Sequence, residues 1–187
     1  KRTMSHATHQ IRNVALAGHP GAGKTTLFEA LLHAGGAIQA AGSIERGNTV
    51  SDFDPQERER GHSIDAAIAS LAHRDVDGGA VHVNLLDTPG YPDFRGAALS
   101  ALSASDAVAV VVDAVGGIGH GTRRIMEHAA RRGLCRAVII NRIDAEGADC
   151  GGLLDELREA FGNELLPVNL PASGGRAVVD CFAGGNG

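Results

Sequence analysis

The sequence predicts a three-layer α/β fold in which a mainly parallel sheet is flanked by helices, and three observations predict it. First, short apolar runs at residues 11–17, 81–86, 107–112 and 137–140 alternate with helical patterns; such alternation gives right-handed, parallel strand connections with helices on the sheet faces. Second, the run Ala107-Val108-Ala109-Val110-Val111-Val112 is continuously apolar, as a strand buried on both faces must be. Third, polar motifs follow the runs at 11–17, 81–86 and 137–140, and ligands of such sheets bind beyond the carboxyl ends of the strands. A length of 187 residues fits one main domain with a sizeable core.

In chain order, residues 1–10 read as an N-terminal tail, with Lys1-Arg2-Thr3 a remnant ahead of a natural start at Met4. The first strand occupies 11–17 and the first helix 24–33, burying Leu27, Phe28, Leu31 and Leu32 before Gly35-Gly36 ends it. From there to about residue 62 periodicity is lost and charge accumulates, as in Ser51-Asp52-Phe53-Asp54-Pro55-Gln56-Glu57-Arg58-Glu59-Arg60. A loop of that length inside a domain is functional or mobile, and its carboxylates read as a solvated face. Residues 64–73 carry Ile64, Ile68 and Leu71 at helical spacing, but their place in the chain selects a strand. Residues 81–86 alternate as a strand ending at Asp87, with His82 partly exposed on it. A turn-rich stretch follows, then an Ala/Leu helix to about residue 104. The helix at 122–132 buries Ile125, Met126 and Ala129 and exposes its arginines; that at 152–161 presents Leu153, Leu154, Leu157 and Phe161 on one face, and Gly162 closes it. Two apolar runs, 165–170 and 177–182, precede the glycine-rich end.

Composition narrows the function classes. Hydrophobic residues are 43% and charged ones 21%, which is globular, while aromatics are only 3%, so the core rests on Ala, Val, Leu and Ile. A net charge of -5 supplies no basic footprint for direct DNA binding. Cys135, Cys150 and Cys181 have no paired spacing, so neither a disulfide framework nor a zinc site is indicated. The nine histidines are scattered without ligand spacing. No run approaches the ~18 apolar residues of a membrane helix, and the expected setting is cytoplasmic.

The stretch Gly18-His19-Pro20-Gly21-Ala22-Gly23-Lys24-Thr25-Thr26 has the spacing G-x-x-x-x-G-K-T between a strand and a helix, the context a phosphate-binding loop requires. Glycines let backbone N–H groups converge on a phosphate, and the helix beginning at Lys24 points its positive dipole end there. Lys24 is placed for the terminal phosphates and the Thr25 hydroxyl for magnesium. Asp87, at a strand end, is placed to hold magnesium through water, and Gly90 lets its N–H approach a γ-phosphate. Asn141 and Asp144 select the base: a carboxylate accepts hydrogen bonds from guanine N1–H and its amino group, a donor pair adenine lacks. The ligand expected is therefore GTP or GDP rather than ATP.

These motifs together resemble the GTPase domain of the translational GTPases, specifically the elongation factor G group with its divergent elongation-factor-G-like members. The phosphate loop is similar to the family's G-H-x-x-x-G-K-T-T, His19 included. Asp87-Thr88-Pro89-Gly90 matches D-T-P-G, Asn141-Arg142-Ile143-Asp144 matches N-K-x-D, and Arg60-Gly61-His62-Ser63-Ile64 lies where the family has R-G-I-T-I. Gly47-Asn48-Thr49-Val50-Ser51-Asp52-Phe53-Asp54 resembles the mobile first switch of the divergent members. The resemblance spans about residues 11–182. It implies a phosphate-loop NTPase fold, GTP hydrolysis with Mg2+, and the ribosome as partner. It also implies that the segment 19–26, Asp87-Thr88-Pro89-Gly90 with Tyr91, and Asn141, Arg142 and Asp144 contact nucleotide, with Thr25, Ser63 and Asp87 at the metal.

Four departures accompany it. Tyr91 stands where the family has a histidine that orients the attacking water; a phenol can hydrogen-bond water but supplies no imidazole, so Tyr91 is the nearest candidate for positioning it, while Lys24 and Gly90, the other catalytic residues expected, act on the phosphates. Arg142 replaces a lysine whose stem packs on the base, a modest change. Ser63 keeps the hydroxyl of the family's threonine. The family's last guanine loop, an S-A dipeptide, is absent, Ala172-Ser173 having the reverse order. The expected division is a GTP-binding domain at 11–163 and, at 164–187, the start of an inserted subdomain cut short, with weaker nucleotide binding as a consequence. The alternative reading is a ribosome-associated GTP-binding module with little stimulated hydrolysis.

Overall fold

The computed structural model describes residues 6–74 and 78–182. The expected remnant at 1–3 and the glycine-rich end at 183–187 lie outside the described residues. Twelve elements follow in order: β1 (Ile11–Gly18), α1 (Lys24–Ala34), α2 (Pro55–Arg60), β2 (Ala67–Arg74), β3 (Ala80–Asp87), α3 (Arg95–Ser103), β4 (Ala107–Asp113), α4 (His120–Arg131), β5 (Cys135–Asn141), α5 (Cys150–Phe161), β6 (Asn169–Ala172) and β7 (Ala177–Asp180).

Five strands form one sheet in the order β2-β3-β1-β4-β5. β3, β1, β4 and β5 run parallel, and β2 pairs antiparallel with β3. The sheet is therefore mainly parallel, and strand alternation divides the core between its faces. Leu16 and Ala109 turn toward Phe28 and Leu32 of α1. Ala15, Ala17, Val108, Val110 and Val112 turn to the other face, against Leu102 of α3, Met126 and Ala129 of α4, and Leu153 and Leu157 of α5. Helices on both faces make the three layers, and the small strand side chains let the helices pack close over a core almost without aromatic rings.

The register sets the ligand edge. Leu16 lies opposite Asp87, Gly18 opposite Val111, and Asp113 opposite Asn141. The carboxyl ends of β1, β3, β4 and β5 thus open on one side. A Cβ at Gly18 would overlap the Val111 carbonyl, so glycine is what allows the two strand ends to meet there.

Residues 64–73 fall largely in β2, whose Ala69 and Leu71 face the core while Ile68 points to solvent. The helical spacing of its apolar residues is incidental, because the strand is settled by its pairing with β3. The charged loop departs from its reading. Pro55–Arg60 is a helix, with Asp54 at its N-cap accepting from the Gln56 N–H at 2.7 Å, and Asp52 and Glu57 are buried rather than solvated. The run 137–140 is half-buried or exposed rather than fully buried. The reason is position: β5 is the sheet edge and has β4 as its one strand neighbour among the described residues. β6 and β7 pair as a separate two-stranded sheet.

Candidate functional site

The loop between β1 and α1 turns at Gly21 and Gly23, both with positive φ. Gly23, at φ 88°, is the N-cap of α1, and an added Cβ would overlap the Asn141 amide. Asn141 uses that closeness: its Nδ2 donates to the Ala22 carbonyl at 2.9 Å, tying the end of β5 to the loop. Lys24 folds back under the loop, donating to the carbonyls of Gly18 (3.2 Å) and His19 (3.0 Å). Burial lowers the pKa of its ammonium, and the Asp87 carboxylate offsets part of that effect. His19 Nδ1 lies 2.7 Å from the Pro20 carbonyl.

Beneath the loop three oxygen-bearing side chains converge. The Thr25 hydroxyl donates to Asp87 Oδ2 at 2.7 Å, and Thr25 Oγ1 lies 3.4 Å from Ser63 Oγ. Ser63 Oγ in turn donates to Asp52 Oδ1 at 2.6 Å. Both hydroxyl protons are thereby committed to carboxylates, and the oxygen lone pairs of Thr25 and Ser63 remain as acceptors. Asp87 is 1% exposed, and its Oδ1 is a buried atom with no hydrogen-bond partner among the described residues. Burial pushes the carboxyl up to about 6, against the opposing influence of the Thr25 and Ser51 hydroxyls and the Lys24 ammonium. An unpartnered carboxylate oxygen beside two hydroxyl oxygens is a donor set suited to a hard cation such as Mg2+.

The segment after β3 closes over this group. Thr88 Oγ1 donates to the Leu16 carbonyl at 2.7 Å, fixing the turn to β1. Pro89 is buried, and Gly90 packs so tightly that a Cβ would stand 2.5 Å from Lys24 Nζ and 2.7 Å from the Pro20 nitrogen. Tyr91 follows, 43% exposed. A cavity of about 230 Å³ is lined by Pro20, Gly21, Gly23, Lys24, Thr25, Thr26, His62, Ser63, Thr88, Gly90, Tyr91 and Arg142, among others. It adjoins a second of about 490 Å³ that shares Pro20, Gly21 and Arg142 and includes His19, Ala22 and Ala145.

Arg142 is a left-handed residue (φ 59°) whose Nη1 pairs with Asp113 Oδ2 at 2.7 Å. Asp113 is held below the usual carboxylate range by the N–H groups of Gly116 and Val115 and by Arg142. Arg142 is thus tethered to the end of β4 and lines both cavities. Asp144 is exposed on the same turn, and Gly175 packs against the Ile143 carbonyl behind it. The phosphate loop, Thr25, Ser63, Asp87, Gly90 and Tyr91 are brought together; Asn141 supports the loop, while Asp144 lines neither cavity.

Three buried acids hold the long loop from within, Glu29 unmarked by any motif and Asp52 and Glu57 in the run expected to be solvated. Glu29, 1% exposed, accepts from the N–H groups of Gly42 (2.8 Å) and Val50 (2.6 Å), anchoring the long loop to α1. Glu57 accepts from the N–H groups of Ile64 (2.8 Å) and Asp65 (3.2 Å), and Asp52 receives Ser63. Glu29 had a signal: Thr25, Phe28, Glu29 and Leu32 share one helical stripe, and a carboxylate in such a stripe needs internal partners.

Residues 9–179 match the family described as the elongation factor Tu GTP binding domain. The chain belongs to that family: it is a GTP-binding domain of the translational GTPases, with the phosphate-loop NTPase fold. It is 41% identical over 165 residues to an elongation factor G-like protein of Mycobacterium tuberculosis (strain CDC 1551 / Oshkosh), covering 88% of this chain and 22% of the relative. It is 37% identical over 186 residues to peptide chain release factor 3 of Gloeobacter violaceus, covering 97% of this chain and 33% of that protein. A crystal structure of a Thermus thermophilus protein superposes with a TM-score of 0.85 at 42% identity, over 94% of this chain and 26% of that one. The chain spans between about a fifth and a third of the length of these proteins.

Proposed function

We propose that this chain is the switch domain of a ribosome-associated translation factor of the elongation factor G-like kind, binding GTP and GDP with Mg2+ and hydrolysing GTP to GDP and phosphate in the cytoplasm. The observation that carries the reading is the group Thr25, Ser63 and Asp87 beneath the glycine loop, joined by a hydrogen bond of 2.7 Å and a 3.4 Å contact while one buried Asp87 oxygen lacks a partner among the described residues. Thr25, Ser63 and Asp87 are the residues to hold Mg2+, which when bound supplies charge neutralisation at the phosphates.

The chain's own groups do the rest. The N–H groups of 21–25 hold the phosphates at the start of α1, and Lys24 exchanges its two carbonyl bonds for the terminal phosphates. Gly90 admits its N–H beside the γ-phosphate. Water then attacks that phosphorus as the bond to the bridging oxygen breaks, and the water proton leaves with the phosphate product. Asp144 selects guanine, Asn141 supports the loop that faces the phosphates, and Arg142 borders the base. Segments 35–64 and 87–97 are the two switches: Ser63 and Gly90 belong to them, and loss of γ-phosphate removes what holds both to the loop.

Within this reading residues 11–163 are the GTP-binding domain and 164–187 open an inserted subdomain, for which the separate pairing of β6 with β7 is support. No helix among the described residues is long and apolar enough to cross a membrane. The test is Lys24→Ala, measured with fluorescent GDP and single-turnover GTP hydrolysis. The expected result is loss of both; unchanged binding and turnover would remove the phosphate-loop assignment.

A further inference from the structure

Tyr91 is not the only ring at the cavity that holds the phosphate-loop residues: His62 lines it as well. The His62 imidazole packs on the Tyr91 ring with centroids 4.6 Å apart and planes tilted 48°, and on Phe94 at 6.1 Å. His62 and Tyr91 both border the cavity that Lys24, Thr25 and Gly90 line. We propose that His62 is the water-positioning residue of this site and that Tyr91 is the platform that holds its ring. The inference rests on the GTPase reading above.

The local backbone is built to present this ring. Gly61 ends α2 in the left-handed region (φ 66°), and the N–H groups of Gly61 and His62 both donate to the Glu57 carbonyl, at 2.8 and 3.2 Å. On the other side, Ser63 is held by Asp52 and lies against Thr25. His62 is therefore fixed from both directions on the segment that reaches the metal group.

Its tautomer follows from one contact. Nδ1 lies 3.1 Å from the Arg60 carbonyl, which can only accept, so Nδ1 is the donor there and Nε2 is left as the nitrogen that can accept from a water. A phenol at neutral pH, by contrast, is a poor acceptor and a good donor. An attacking water needs an acceptor for one of its protons. In the step assigned here the water donates one hydrogen bond to Nε2 while its oxygen bonds to the γ-phosphorus and the bridging oxygen departs with the GDP. The water proton leaves with the phosphate product, so His62 orients the water without taking its proton.

The experiment compares the protein with His62→Ala, His62→Gln and the double variant His62→Ala/Tyr91→His, in single-turnover GTP hydrolysis with and without ribosomes, with fluorescent-GTP affinity measured alongside. For His62→Ala the expected result is a hydrolysis rate down about tenfold or more with affinity within about twofold, the signature of an interaction specific to the reaction. His62→Gln, which keeps an acceptor, retains more of the rate, and the double variant recovers it by returning an imidazole from the neighbouring position. A wild-type rate in His62→Ala overturns the proposal, as does a loss of affinity that accounts for the slower turnover. Wild-type protein that binds GTP without hydrolysing it would overturn the role of His62 while leaving nucleotide binding intact. Absence of GTP binding by the wild type would overturn the reading beneath it as well.

Discussion

Asp87→Asn is the perturbation whose consequences can be worked out furthest. The Asp87 carboxyl is pushed by burial to about 6 from an ordinary 3.8. The folded state therefore binds the proton more tightly than the unfolded chain, so this group costs stability as pH rises. The cost is absent well below pH 3.8, grows through the window between 3.8 and about 6, and is constant above it. A difference of roughly two units corresponds to about 3 kcal/mol at the plateau. Asparagine does not titrate. Its amide keeps an acceptor for Thr25 but introduces an N–H without a partner, an offset of about 1–3 kcal/mol that does not change with pH. The stability of Asp87→Asn relative to wild type should then rise by about 2–3 kcal/mol between pH 4 and pH 8, or roughly 5–10 °C in relative melting temperature for a domain of this size. The assay is thermal melting in EDTA without nucleotide across that range. A relative melting temperature that stays flat with pH, or falls, would refute the account of a buried, underpaired carboxylate. Adding Mg2+ and GDP should reverse the order, stabilising the wild type far more than the variant.

Other expectations follow from the same geometry. Asp144→Asn should weaken GDP by about a hundredfold or more and favour XDP, because an amide N–H can donate to the 2-carbonyl of xanthine where the carboxylate accepted from guanine; competition binding with the two diphosphates reads this directly. Gly90→Ala should slow GTP hydrolysis sharply, since its Cβ would meet Lys24 Nζ at 2.5 Å and Pro20 N at 2.7 Å; single-turnover rates check it. Glu29→Ala removes the acceptor for two loop N–H groups and should cost about 2–4 kcal/mol. Hydrogen exchange should then rise at Gly42 and Val50 while the central strands β1 and β4 remain protected.

The candidate site was legible as a pattern because a phosphate-binding loop restricts residue type and spacing. Gly23 and Gly90 leave no room for a side chain, and Thr25 and Asp87, far apart in the sequence, meet in a hydrogen bond of 2.7 Å. The strands were legible where burial on both faces demanded a continuous apolar run, as at 107–112. What escaped was decided by tertiary partners. Asp52 and Glu57 sit in a segment dense with charge, and only the folded chain shows that each is buried with a hydrogen-bond partner. The helix α2 carried a start signal, Asp54 followed by Pro55, that the surrounding charge obscured. The half-burial of β5 could not be read from Ala137-Val138-Ile139-Ile140, because an edge strand and an interior one can share a composition. The pairing of His62 with Tyr91 had no signal at all: the residues are far apart in sequence, and only the return of the α2 segment to the end of β3 brings the rings together.

The most direct test of the central claim is displacement of fluorescent GDP from the wild-type protein, in Mg2+, by GTP and by ATP. The account predicts that GTP displaces the probe at low micromolar concentration while millimolar ATP does not. Equal displacement by the two nucleotides, or no binding of the probe, would contradict it.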